Sequence, residues 1–218
     1  MRPPFRDRRA AGRLLGGAVL GLDLARPVLL ALPRGGVPVA TEVARRLRRA
    51  GGGHVPVDVL VARKIGAPGQ PELGVGAIAE GGEPVLDLRL LEALDLTAAD
   101  IEDVIAGERT ELERRVHTYR GGRPLPPLGG ADVVVVDDGL ATGGTALAAL
   151  RAIREAGPRR TVLAVPVAPP DTVRLLRGEA DDIVVVHLPE PETFGSVGRW
   201  YDRFPQLSDR EVLSLLPR

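Results

Sequence analysis

The chain has 218 residues, 44% hydrophobic and 27% charged, with 29 basic residues balancing 29 acidic ones; this suits one soluble core, and the zero net charge argues against a generic nucleic-acid binder, whose footprint is basic. The absence of cysteine excludes disulfides and thiolate metal sites, and His54, His117 and His187 lie too far apart for zinc-type spacing. No apolar run reaches the roughly 18 residues that cross a bilayer, and the arginine-rich start lacks the apolar stretch of a secretion signal, so the expected setting is cytoplasmic.

In chain order, residues 5–21 carry Ala11, Leu14, Leu15, Ala18 and Val19 at helical spacing and predict an amphipathic helix. PVLLALP at 27–33 predicts a buried strand, and Val37 to Ala50 a helix stopped by glycines. VPVDVLVA at 55–62 reads as a strand, RKIGAPGQPE at 63–72 as a Gly/Pro-rich loop, and LGVGAIAE at 73–80 as a strand. Residues 86–119 read as long, charged and helical, with Thr97 as N-cap and Asp100 near the positive helix end. A linker follows at 121–130, then a valine strand, a helix over 144–156, a strand at 161–168, a short helix capped by Asp171, a strand at 181–188, and a final helix opened by the capping box Ser208–Glu211. Strands alternating with helices, several of them apolar throughout, predict an α/β fold with an open, mostly parallel sheet covered by helices on both faces. Residues 1–218 are expected to form a single domain with its core at about 27–188, a helical insertion at about 86–122 and a C-terminal tail at about 189–218.

The stretch VVVVDDGLATGGT, Val133 to Thr145, concentrates the chemistry. Ligands of open α/β sheets bind at the carboxyl ends of the strands, where Asp137 and Asp138 fall. The small residues after them let backbone N–H groups turn inward at a helix N-terminus, forming an anion cradle to which Thr142 and Thr145 add hydroxyls. Two carboxylates beside a phosphate nest suit vicinal hydroxyls a few ångströms from a phosphate, as in ribose 5-phosphate. A P-loop needs a lysine that this loop lacks. Gly74-x-Gly76-x-x-Ala79 lies within a strand pattern rather than between strand and helix, so a dinucleotide fingerprint fails too.

This stretch resembles the phosphoribosyl diphosphate signature of the type I phosphoribosyltransferases, with closest similarity to the adenine branch; the hypoxanthine-guanine branch carries an aspartate where this chain has Ala141. The resemblance implies that Asp137 and Asp138 hold ribose hydroxyls and that Gly139, Ala141, Thr142, Gly143, Gly144 and Thr145 hold the 5-phosphate. It also implies that Arg34, Gly35 and Gly36, in LPRGGVPVA, bind the diphosphate on a loop that in the family often holds a cis peptide. A mobile loop is implied at 63–72. It begins with Arg63 and Lys64, the one lysine among the 29 basic residues, and would bring cations to the leaving diphosphate. Lys64 also has a plainer reading as an ordinary surface residue. Glu80 is placed as a candidate general base, with a strand-end surface glutamate as its alternative. A hood over the base is implied, and four of the six aromatics, Phe194, Trp200, Tyr201 and Phe204, cluster near the C-terminus; they read equally well as core.

The function so implied is a Mg²⁺-dependent transfer of ribose 5-phosphate from phosphoribosyl diphosphate to a nucleobase or related base, in nucleotide salvage, by a homodimer without membrane or nucleic-acid partners. No direct metal ligand is assigned; Asp137 and Asp138 are candidates through water. The alternatives are a non-catalytic phosphoribosyl diphosphate or nucleotide-sensing regulator on the same fold, and a lyase or phosphorylase using the same cradle.

Overall fold

Alternation of apolar side chains sets the layers. In β1 (Pro27–Ala31) and β6 (Asp132–Val136) every residue is buried, and successive residues face opposite sides of the sheet. Leu29, Ala31, Val134 and Val136 join one core with Leu15, Val19, Val37 and Val43. Val28, Leu30, Val133 and Val135 join a second core with Ala146, Ala149, Leu150 and Ile153. The first set of helical partners belongs to α1 (Arg8–Leu20) and α2 (Gly36–Arg49), the second to α5 (Gly144–Arg154). The chain, described here by a computed structural model over residues 3–51 and 53–216, is therefore a sheet with helices on both faces, as the strand pattern predicts.

That sheet has the order β2-β1-β6-β7-β8, with β2 at Val57–Val59, β7 at Arg160–Val167 and β8 at Asp182–His187. Its pairings are all parallel, and the register aligns Ala31, Val136 and Ala164 near the carboxyl end. The loops after β1 and β6 thus emerge side by side.

A second, antiparallel sheet holds β3 (Ala62–Ala67), β4 (Gln70–Ala79) and β5 (Val85–Leu86). This corrects the loop expected at 63–72. Glycine and proline there make a tight turn at 68–69, and Ile65 and Val75 on either side of it are fully buried. Apolar burial on both arms outweighs the loop-like composition and folds the segment into a hairpin.

Beyond β5, the helical reading holds in pieces: α3 (Leu88–Ala93), a 3-10 turn at Ala99–Ile101, and α4 (Glu102–Arg120). Asp87 caps α3 by accepting from Leu90 N. Thr97 does not cap as expected; its amide and hydroxyl both donate to Asp100. After β7 comes α6 (Pro170–Leu176), where Pro169 holds the N-cap position and Asp171 pairs with Arg174 instead of capping. A short helix, α7 (Pro191–Phe194), leads to the aromatic segment. The capping box expected at Ser208 and Glu211 opens α8 (Asp209–Leu215).

Candidate phosphate and ribose site

The parallel register brings two loops into contact at the carboxyl end of the sheet. Gly36 backs onto the Val136 carbonyl and lies 3.1 Å, measured to the place of an added Cβ, from Asp137 Cα; a Cβ on Gly35 would fall on the Asp138 carboxylate. Glycine is required at both positions because backbone or carboxylate occupies the space of a side chain. The peptide between Pro33 and Arg34 is cis. Arg34 is exposed on this loop.

Asp137 and Asp138 stand together just past β6. Asp138 N donates to Asp137 Oδ1 at 2.8 Å. Burial, then the neighbouring charge of Asp138, holds the Asp137 carboxyl well above the usual carboxylate range. Burial also raises Asp138, and Arg8 offsets it only in part. Two crowded, largely desolvated carboxylates are costly as a pair of charges, a condition that clusters at functional sites.

The loop 139–145 is tied down from behind. Leu140 N donates to the Val167 carbonyl at 2.9 Å, and the Thr172 hydroxyl donates to the Ala141 carbonyl. Gly143, at φ +82°, serves as the N-cap of α5 in the left-handed region that glycine tolerates. It supplies no side-chain cap, so the first amides of α5 stay available to an anion at the positive end of the helix. Ala141 and Thr142 are exposed at the mouth, while Gly144 and Thr145 are half-buried.

The three residues assigned to catalysis are placed differently. Lys64 lies on β3, opposite Ala77, and its exposed Nζ donates to the Glu72 carbonyl across the hairpin. It therefore starts from an ordered strand, not from an open loop. Arg63 pairs with Glu108 of α4 at 2.7 Å. Glu80 is tied into structure: its oxygens accept from Arg120 Nη2 at 2.6 Å, Arg120 Nη1 at 3.0 Å and Val61 N at 3.1 Å. Arg120 is itself buried. A carboxylate whose two oxygens are committed to a buried guanidinium is a poor general base, and this corrects the role expected for Glu80.

The aromatic cluster also differs from an open stacking platform. Phe194, Trp200 and Tyr201 are buried with Phe5 and Val167 in a third small core, and Trp200 Nε1 donates to the Phe194 carbonyl at 3.1 Å. Phe5 and Tyr201 form a parallel bridge between the two ends of the chain. The Tyr201 hydroxyl donates to the Asp138 carbonyl at 2.5 Å, and burial, with the Asp138 charge, pushes its pKa upward so that it remains a donor. Tyr201, Thr172 and Arg8 touch the candidate site, and motif reasoning does not reach them. The aromatic clustering pointed to the neighbourhood of Tyr201, but nothing in the sequence separates Arg8 from the other arginines.

The phosphoribosyl transferase domain model matches residues 8–193. A provisionally named phosphoribosyl transferase of Mycobacterium tuberculosis is 45% identical over 214 residues, which is 98% of this chain and 46% of the relative. The chain thus spans about half the length of the curated relatives it matches. TT1426 of Thermus thermophilus, a solved structure, is 45% identical with a TM-score of 0.79, covering 99% of this chain and 98% of its own. A hypoxanthine phosphoribosyltransferase of Staphylococcus aureus shares the fold at 12% identity and a TM-score of 0.51, over 87% of this chain and 78% of that one.

Proposed function

The chain belongs to the phosphoribosyl transferase family, and from that premise we propose that it transfers ribose 5-phosphate from 5-phosphoribosyl 1-diphosphate to a nitrogenous base. The observation that carries the reading is the contact between the Asp137–Asp138 pair and the Gly35–Gly36 loop. It sets carboxylates for ribose hydroxyls directly beside a backbone that a diphosphate can approach.

In this reading the amides of residues 139–145 hold the 5-phosphate, and Arg34, Gly35 and Gly36 hold the diphosphate. The bond from the ribose C1 to the diphosphate oxygen breaks, with its electron pair leaving on the diphosphate. A bond from C1 to the base nitrogen forms, and the nitrogen's proton passes to solvent. Glu80 has no part in that step. Lys64 and Arg63 serve the leaving group after exchanging their present partners, the Glu72 carbonyl and Glu108.

Among the described residues no group of three or more His, Cys, Asp or Glu side chains is placed to hold a metal ion. Two adjacent carboxylates without a third ligand suit Mg²⁺, which keeps several waters and is commonly held by one or two carboxylates together with substrate phosphates. Asp137 and Asp138 would hold it, through water, and bound Mg²⁺ would supply charge neutralisation at the diphosphate. A role in nucleotide salvage, a cytoplasmic setting and a homodimeric state belong to the same proposal. No helix among the described residues is long and apolar enough to cross a membrane.

Labelled phosphoribosyl diphosphate with Mg²⁺ and a panel of nucleobases and related bases tests the reading. Nucleotide and diphosphate should form with at least one base, and Lys64→Ala should cut turnover about tenfold to a thousandfold with much less loss of affinity. Binding without product across the panel would replace the transferase by a sensor on the same site.

A further inference from the structure

Arg8, at the start of α1, reaches the acidic pair from outside the α/β core. Its Nε donates to Asp138 Oδ2 at 2.7 Å, and its Nη1 donates to the Pro205 carbonyl at 2.8 Å. Its Cζ lies 3.7 Å from the centroid of the Phe204 ring. The side chains of Arg8 and Asp138 are 11% and 14% exposed, which makes this pair much drier than most of the ion pairs on the surface. Three different kinds of contact thus fix one guanidinium: an ion pair, a carbonyl and an aromatic face.

The consequence falls on Asp138. Its carboxylate lies against Gly35 of the diphosphate loop, while its backbone carbonyl accepts from Tyr201. No charged residue stands in the loop 139–145, and Arg34 on the neighbouring loop is exposed. Arg8 is therefore the cation bonded to the carboxylate side chain. Nothing about Arg8 follows from the signature residues, because it comes from the helix that precedes the first core strand.

We propose that Arg8 is a positioning residue for the ligand site: by holding Asp138 against Gly35 it sets the geometry in which the acidic pair and the diphosphate loop act as one surface. The inference rests on the phosphoribosyl diphosphate reading for its ligand, but the positioning itself is a property of the free protein. A hydrogen bond between two charged groups, largely shielded from water, is stronger than a neutral one, and an aromatic face beneath a guanidinium adds to its fixation. An aspartate released from this bond would have to be gathered again when ligand binds, at a cost in affinity.

The test uses the full chain with three variants. Arg8→Met keeps much of the stem over Phe204 and removes the charge, Arg8→Lys keeps the charge, and Phe204→Ala removes the ring beneath the guanidinium. Calorimetry with phosphoribosyl diphosphate and Mg²⁺ should show Arg8→Met weakened about tenfold to a hundredfold, the range of a lost hydrogen bond to a charged group. Arg8→Lys should recover most of that loss, and Phe204→Ala should lose about threefold to tenfold. Inorganic phosphate, which needs only the loop 139–145, should bind all four proteins alike. A crystal structure of ligand-free Arg8→Met should show Asp138 withdrawn from Gly35. Wild-type affinity in Arg8→Met or, should that variant not fold, in Phe204→Ala overturns the proposal, as does a lysine variant as weak as the methionine one. If the wild-type protein itself fails to bind phosphoribosyl diphosphate, the functional reading falls. The ligand-free structure still decides the positioning: a displaced Asp138 upholds it and an unmoved one overturns it.

Discussion

Asp132 opens β6 and Asp137 with Asp138 follows it, so one five-residue strand carries carboxylates at both ends. Asp132 is fully buried, and its Oδ2 accepts from Arg159 Nη2 at 2.6 Å, Ala25 N at 2.7 Å and Arg26 N at 3.2 Å. Burial pushes its carboxyl upward, but Arg159 and the two amides outweigh that and hold it below the usual range. At the other end burial wins: both carboxyls are raised, and among the described residues Arg8 is the ion-pair partner of the pair. The first end spends its hydrogen-bond donors on cohesion of the β1–β6–β7 region. The second is left short of donors, the state in which a carboxylate can still take hydroxyls from a ligand. Burial alone therefore does not separate the two ends: Asp132 gathers three donors on Oδ2 and leaves its buried Oδ1 without a partner, whereas Asp137 and Asp138 are met by one backbone amide and Arg8.

The sharpest way to break this contrast is Asp132→Ala. It should strand the Ala25 and Arg26 amides and lower stability by about 2–4 kcal/mol, read from urea unfolding, while phosphoribosyl diphosphate affinity of the folded protein stays near wild type. A variant that keeps its stability would make Asp132 dispensable and dissolve the contrast. Next in size is Gly35→Ala, whose added Cβ would displace the Asp138 carboxylate; affinity should fall on the order of a hundredfold (about 2.7 kcal/mol), and calorimetry checks it. Asp137→Asn should do what no substitution at Asp132 can. Removing a charge that the fold disfavours should raise stability at neutral pH, read from urea unfolding, while ligand affinity drops about tenfold or more. A loss of stability there would mean that the site is held together by its charges after all.

The smallest effect is a difference in pH slope. Asp132 is depressed from the ordinary value of 3.8, so its contribution to stability is present above that pH and is lost as pH falls through the lowered value. Asp137 is raised from the same 3.8, so its destabilising effect grows as pH climbs above 3.8 toward the raised value. Thermal melts of Asp137→Asn should accordingly show a shallower decline on the neutral side of pH 3.8 and keep the acid-side loss. Parallel melting curves for the two proteins would contradict the opposite signs.

The candidate site at the carboxyl end of the sheet was readable in the sequence for a physical reason. Asp137, Asp138 and the loop from Gly139 to Thr145 are contiguous, and Gly35 with Gly36 sits at an equally local strand end, so short motifs capture them. The layered sheet was legible because the unbroken apolar runs of β1 and β6, buried on both faces, are written into consecutive residues. The strand at 73–80 was legible, but its partner arm at 62–67 and the turn were not, because glycine and proline dominate local preference there while the burial of Ile65 and Val75 is a tertiary fact. The tie of Glu80 into the fold is illegible for the same reason. Its partner Arg120 is 40 residues away, and no local pattern announces a buried ion pair. Arg8 lies 130 residues from Asp138 and is one arginine among many.

The pairing of Phe5 with Tyr201 also orders events in time. During synthesis Arg8 leaves the ribosome early, Asp138 follows 130 residues later and Tyr201 another 63 after that. Contacts spanning so much chain close late, because the entropy of long loops must be overcome first. A nascent chain that has reached β8 contains the residues of all five parallel strands and of the loop 139–145. It still lacks Tyr201 on the Asp138 carbonyl and Phe204 under Arg8. The packing of the acidic pair against Tyr201, and of Arg8 against Phe204, therefore waits for residues made after the parallel strands.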